Sequence, residues 1–184
     1  MPTSLSPAVF LDRDGVLNRT IVRDGVTHPP ASLAEFELLP GVRKALRRLA
    51  DAGFKLVVVT NQPDVARGSQ TRETVEEMND LLRRTLPVLD VLVCYHDNAD
   101  NCACRKPKPG MLLDAAERFG LDLARSYLVG DRWSDVAAGQ AAGCRASVLI
   151  ATPFSGAERC KPDFVAADLG EAVAWILQHA QSNE

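Results

Sequence analysis

The sequence predicts an α/β fold built on a doubly wound parallel sheet with helices on both faces. Three observations lead there. Short apolar runs without alternation recur along the chain, Leu56-Val57-Val58-Val59 being the clearest, and strands buried on both faces read this way. Segments with helical spacing of apolar residues separate those runs. The 184 residues, 46% hydrophobic and 24% charged, are enough for one domain with a substantial core.

In chain order, Ala8 to Leu11 is a short buried strand that delivers Asp12-Arg13-Asp14-Gly15. Residues 19–41 form a polar loop with Pro29, Pro30 and Pro40 and no clear period; long loops in compact domains are usually functional. From Val42 to Ala52, Val42, Ala45, Leu46 and Leu49 fall on one helical face, with Arg43, Lys44, Arg47 and Arg48 between them and Gly53 as the stop. Lys55 to Thr60 is the second strand. Residues 72–86 make a helix burying Val75, Met78 and Leu82, and Glu73, Glu76 and Glu77 suit its N-terminal half. Val91-Leu92-Val93 is a third strand. Pro109-Gly110 opens a helix with Leu112, Ala115, Ala116 and Phe119 inward and Gly120 after its end. Tyr127 to Val129 is the fourth strand, and Ser134 is placed to cap a helix of small residues ending at Gly143. Ala146 to Ile150 follows as a fifth strand, Phe164 to Ala166 as a short sixth, and Leu169 to Gln181 as the closing helix.

In such sheets ligands bind outside the C-terminal ends of the strands. After the first strand come Asp12 and Asp14, which extended geometry aims to the same side. Two carboxylates that close need a cation, or one must take a proton. A calcium loop of the EF-hand kind fails, because its fifth and twelfth places hold Val16 and Arg23; an ordinary polar turn is the plain alternative. Thr60, Asn61 and Gln62 follow the second strand. A loop of cysteines and a histidine ending in Arg105-Lys106-Pro107 follows the third, and Gly130-Asp131-Arg132-Trp133-Ser134-Asp135 the fourth. Acid, hydroxyl and amide, base, acid: that set suits a magnesium ion beside a phosphate.

A net charge of −3 argues against broad nucleic-acid binding. The stretch from Met1 to Ala8 shows no signal-peptide pattern and no run is long enough for a membrane span, so a cytoplasmic protein is expected. Five cysteines, three of them between 94 and 104, fit a metal site better than a disulfide framework. Cys94, His96, Cys102 and Cys104 make a Cys3His set of the kind that closes around zinc, with buried or reducible thiols as the alternative. Cys144 and Cys160 read as ordinary thiols.

Four stretches, FLDRDGVLN, VVVTNQ, RKPKPGM and VGDRWSD, resemble in sequence and order the four motifs of haloacid dehalogenase (HAD) superfamily phosphatases. Within that superfamily the chain is similar to the D-glycero-D-manno-heptose 1,7-bisphosphate phosphatases and the histidinol-phosphate phosphatases, over roughly Ala8 to Ile150. The resemblance implies a Rossmann-like sheet in a single HAD-like domain, 1–184, with no separate cap and a zinc-binding loop at 94–108. It implies Asp12 as nucleophile and Asp14 as general acid and base. Magnesium would sit on Asp12, the Asp14 carbonyl and Asp131, with Asp135 a further candidate through water. Thr60, Asn61 and Lys106 would bind the phosphoryl oxygens, and Gln62, Arg105 and Arg132 complete the expected substrate set. Structural zinc would sit on Cys94, His96, Cys102 and Cys104.

The sequence departs from that pattern at Pro63-Asp64, where Ser-Gly is usual, at Tyr95, and at Arg132-Trp133; Arg67-Gly68 matches. Arg19 and Arg23 are either cations for a second anionic group on the substrate or surface arginines. The expected partner is a small phosphorylated molecule, a sugar bisphosphate before histidinol phosphate, acted on by a monomer. A catalytically silent zinc-containing module is the competing class, against which both Asp12 and Asp14 stand intact.

Overall fold

The structure, a computed structural model, describes residues 5–182. Strands β1 (Ala8–Leu11), β4 (Lys55–Asn61), β5 (Asp90–Cys94), β6 (Tyr127–Gly130), β7 (Ala146–Ile150) and β8 (Phe164–Ala166) form one sheet in the order β5-β4-β1-β6-β7-β8. Every pairing in it is parallel. The chain runs outward from β1 through β4 to β5, then returns to β6 on the other side of β1. The topological switch point therefore lies at the C-terminal end of β1, where such sheets bind ligands.

Period-two geometry explains why the strands read as unbroken apolar runs. Val9 and Leu11 of β1 face a core shared with helices α1 (Val42–Asp51), α2 (Arg72–Thr85) and α5 (Leu169–Gln181). Ala8 and Phe10 face the opposite core, filled by α3 (Gly110–Phe119) and α4 (Trp133–Ala142). Both faces are covered, so both parities of side chain are mainly apolar. Among the described residues no helix is long and apolar enough to cross a membrane.

Two sequence expectations change. The loop 19–41 contains a hairpin, β2 (Ile21–Arg23) paired antiparallel to β3 (Val26–His28). Asp24 and Gly25 both take positive φ, 51° and 74°, the geometry that joins two twisted strands through a two-residue turn. Helix α4 starts at Trp133, ahead of the cap expected at Ser134: Asp135 accepts a 2.9 Å hydrogen bond from Arg132 N and so satisfies the end. The other helix ends follow the sequence. Thr71 accepts from Thr74 N at 3.1 Å, Asp168 from Glu171 N at 2.9 Å, and Gly120 and Gly143 turn out of their helices with φ of 63° and 79°.

Candidate active site

The site begins where β1 ends. Asp12 N donates to Val129 O at 2.9 Å, which pins the first carboxylate between β1 and β6. The chain then turns around one atom: Arg13 O accepts from Leu17 N and Asn18 N at 2.8 and 3.2 Å. Gly15 makes the turn possible twice over. Its φ is +87°, and a Cβ there would overlap the Asp131 carboxylate arriving from β6.

Lys106 crosses the site beneath these carboxylates. Its ammonium, almost wholly buried, donates to Asp12 Oδ1 at 2.7 Å and Val59 O at 2.7 Å and pairs with Asp135 Oδ1 at 2.6 Å. Three donors meet three acceptors, which is what allows a lysine to be buried with its charge. Asn61 fixes the lysine's backbone from both sides, accepting from Lys106 N at 3.2 Å and donating to Lys106 O at 3.1 Å.

Close carboxylates then call for a cation or a proton. Asp12, Asp131 and Asp135 each offer a carboxylate oxygen within 4.8 Å of the others. Burial, with the Asp135 and Asp14 charges adding to it and Lys106 opposing, pushes Asp12 up to about 6. Asp131 is pushed further, to about 8, by burial and then by the charges of Asp12 and Asp135. Lys106 is raised despite its burial, because Asp12 and Asp135 favour its charged form. Asp131 Oδ1 is buried with no hydrogen-bond partner among the described residues. An orphaned carboxylate oxygen beside two further carboxylates fits a hard divalent ion, which takes oxygen ligands and little else.

These residues line a cavity of about 350 Å³. Of the residues expected from sequence, Asp12, Asp14, Thr60, Asn61, Arg105, Lys106, Asp131 and Arg132 stand at its wall. Gln62 does not: it is buried behind, where its amide donates to Asp14 Oδ2 at 2.7 Å and Thr60 Oγ1 at 2.9 Å. Arg23 also lies outside the lining, half exposed and paired with Glu35 at 3.5 Å, and Arg19 pairs with Glu37 at 3.2 Å on the surface. Five carboxylates and four Lys or Arg cations share the wall, so an anionic ligand needs more positive charge than the side chains supply.

A second cluster sits beyond β5. Sγ of Cys94 lies 3.6 Å from Sγ of Cys102 and 3.0 Å from Sγ of Cys104, the latter two sulfurs are 3.4 Å apart, and His96 Nδ1 is 3.3 Å from Sγ of Cys104. A tetrahedral ion with bonds of roughly 2.3 Å to sulfur sets its sulfurs about 3.7 Å apart, so the four donors are gathered at coordination spacing. Burial raises the Cys94 and Cys104 thiols, whereas at Cys102 burial is outweighed by hydrogen bonds from Cys104, Arg105 N and Cys94, which bring the thiol down to about 7, toward the thiolate that metals bind. Cys104 leads directly into the segment carrying Arg105 and Lys106. Gly110 closes that segment: Ala103 O packs where its Cβ would be, and Gly110 N donates to the same oxygen at 3.1 Å.

Residues 103–172 match a HAD-hydrolase-like family model. The whole chain goes further. The D-glycero-beta-D-manno-heptose-1,7-bisphosphate 7-phosphatase of Escherichia coli K12 is 39% identical to it, covering 95% of this chain and 97% of that protein. The corresponding enzyme of Thermosynechococcus vestitus is 38% identical over 94% and 96%. The chain belongs to the D-glycero-D-manno-heptose-1,7-bisphosphate 7-phosphatase family. The crystal structure of the D,D-heptose 1,7-bisphosphate phosphatase of B. bronchiseptica, complexed with magnesium and phosphate, matches with a TM-score of 0.78 at 34% identity, covering 94% of this chain and 99% of that one.

The departures of this phosphatase from its family pattern have local explanations. Asp64 pairs with Arg67 at 3.3 Å, so its charge does not face the cavity alone. Arg67 also grips Asp97 through contacts of 2.7 and 2.8 Å, tying the loop after β4 to the cysteine loop. Arg132 donates to Thr27 Oγ1 on the hairpin, and Trp133, with its N bonded to Ser155 O at 2.7 Å, lies under the Arg159 guanidinium. Tyr95 stacks on Arg72 and hydrogen-bonds Glu76. Sequence reasoning missed the hairpin, which brings Val26, Thr27 and His28 to the cavity, although Asp24-Gly25 between two β-branched stretches is its signal. It also missed Arg13, Asn18 and Asn79, all buried; no local pattern marks them.

Proposed function

We propose that this phosphatase removes the 7-phosphate of D-glycero-D-manno-heptose 1,7-bisphosphate through an aspartyl-phosphate on Asp12. One observation carries the reading. Asp12, held by Lys106 and flanked by the unpartnered oxygen of Asp131, opens onto a cavity whose wall also carries Asp14 and Thr60. The relatives' activity and the magnesium and phosphate of the B. bronchiseptica structure support it.

Asp12 attacks phosphorus, the bond from phosphorus to the sugar oxygen breaks, and Asp14 gives that oxygen its proton. Asp14 then takes a proton from water, whose oxygen attacks the phosphoryl group and releases the Asp12 carboxylate. Thr60 would donate to a phosphoryl oxygen, while Lys106, whose three donors are taken by Asp12, Asp135 and Val59 O, supplies its positive charge from behind Asp12; fixed groups of this kind are each worth roughly a hundredfold or more in rate. Asn61 serves by holding Lys106, and Gln62 by holding Asp14 and Thr60. Arg105 and Arg132, both on the cavity wall, are the cations for the second phosphate. Asp12, Asp131 and the Asp14 carbonyl would hold magnesium, with Asp135 beside them. When bound, the ion neutralises phosphoryl charge as a Lewis acid.

Cys94, His96, Cys102 and Cys104 take a structural zinc that fixes the loop 94–108. The whole chain, 1–184, acts as one unit without a cap, as a cytoplasmic monomer whose hairpin and cysteine loop select the substrate. The deciding experiment compares kcat/KM with magnesium on the heptose bisphosphate, other sugar phosphates and histidinol phosphate. A preference for histidinol phosphate would replace the sugar reading, and phosphate release undiminished in Asp12→Asn would end the covalent one.

A further inference from the structure

Arg13 separates the two carboxylates of the opening loop in sequence, yet it has no place in the chemistry above. It is wholly buried. Its guanidinium is spent on two partners. Nε and Nη2 donate to Asp14 Oδ2 at 3.2 and 3.0 Å, Nη2 also reaches Asp14 Oδ1 at 3.3 Å, and Nη1 donates to Asn79 Oδ1 at 3.0 Å. Asn79 is itself wholly buried on α2. Its Nδ2 donates to Glu76 Oε1 at 3.4 Å, which leaves Oδ1 as the end that accepts from Arg13. The far side of Asp14 is held by Asn18 Nδ2 at 2.9 Å and Gln62 Nε2 at 2.7 Å.

A buried arginine is rare and is stable only when its charge and its donors are matched. Here they are matched to the one carboxylate on which proton transfer depends. An aspartate on a turn has several staggered rotamers, and proton transfer needs the carboxylate within about 3 Å of the reacting oxygen. A guanidinium fork that touches both oxygens fixes the carboxylate's plane as well as its place, which a lysine cannot do.

We propose that Arg13, braced by Asn79, is a positioning residue that holds the Asp14 carboxylate in the orientation required for proton transfer to the leaving oxygen. It acts through Asp14 and touches neither substrate nor metal. The inference rests on the acid–base reading of Asp14 and extends the site back into α2.

The test exploits leaving groups. An alkyl phosphate, such as the sugar ester, needs a proton on its departing oxygen, whereas p-nitrophenyl phosphate expels a stable phenolate without one. The ratio kcat/KM covers steps up to that departure, so the later attack of water does not enter. Asn79→Ala and Arg13→Lys should lower kcat/KM on the sugar phosphate by about tenfold, and Arg13→Met by about a hundredfold, the loss that a displacement of about 1 Å produces. On the aryl ester the same variants should lose less than about threefold. Circular dichroism and thermal melting check folding; if Arg13→Met does not fold, the two milder variants carry the test. Equal losses on the two esters, or no loss on either, would overturn the positioning role and leave the reading of Asp14 in place. An Asp14→Asn enzyme with an unchanged ratio between the esters would overturn the acid–base reading, and this proposal with it.

Discussion

Replacing Asp131 with asparagine should stabilise the metal-free phosphatase at neutral pH while removing its response to magnesium. Asp131 is buried and one of its oxygens has no partner among the described residues. Burial first, then Asp12 and Asp135, raise it from 3.8 to about 8. A carboxyl raised on folding contributes its full stability below the unfolded value and loses it as pH climbs to the folded one. Between about pH 4 and pH 8 the wild-type site therefore loses stability, on the order of 5 kcal/mol at about 1.4 kcal/mol per unit. The asparagine side chain carries no charge, and its amide can donate to the neighbouring carboxylates. Because Asp12 and Asp135 share the repulsion, we expect the substitution to recover about 3 kcal/mol at pH 8 and almost nothing at pH 4. Urea unfolding in EDTA at a series of pH values measures this. Magnesium then reverses the order: at a hundred times its dissociation constant it adds about 2.7 kcal/mol to the wild type and little to the variant. An Asp131→Asn protein no more stable than wild type in EDTA at pH 8, or a gap that does not widen with pH, would refute the reasoning.

Three further outcomes follow from the same geometry. Lys106→Met strands Asp12 and Asp135 without their shared cation; it should cost about 3–5 kcal/mol in urea unfolding and reduce phosphate release by at least about a hundredfold. Gly15→Ala places a methyl on the Asp131 carboxylate at a φ of +87° and should lower stability by about 2–4 kcal/mol, with magnesium affinity, read by calorimetry, falling alongside. Treatment with a zinc chelator should raise amide exchange across residues 94–108 and impair turnover even with magnesium in excess; full activity in a verified zinc-free enzyme would contradict the loop-holding role proposed for the cysteine cluster.

The sequence by itself determined the sheet and the chemistry that follows its strands. Val57-Val58-Val59 had to be covered on both faces, and Asp12, Thr60, Lys106 and Asp131 stand immediately after apolar runs or in the loops that follow them, so topology alone gathers them. The cysteine set was legible for the same reason, since its four donors sit within eleven positions. Tertiary structure decided which polar groups face the cavity and which only support those that do. Gln62 and Arg23 look from sequence like substrate ligands, yet one lies behind Asp14 and the other pairs with Glu35 outside the cavity. Arg13, to which the sequence alone assigns no role, is among the most deeply buried side chains of the described residues. Its partner Asn79 is 66 positions away, so nothing local could announce the pair. Covalent neighbours fix a strand's parity, but a side chain's partner is set by whatever distant element the fold packs against it.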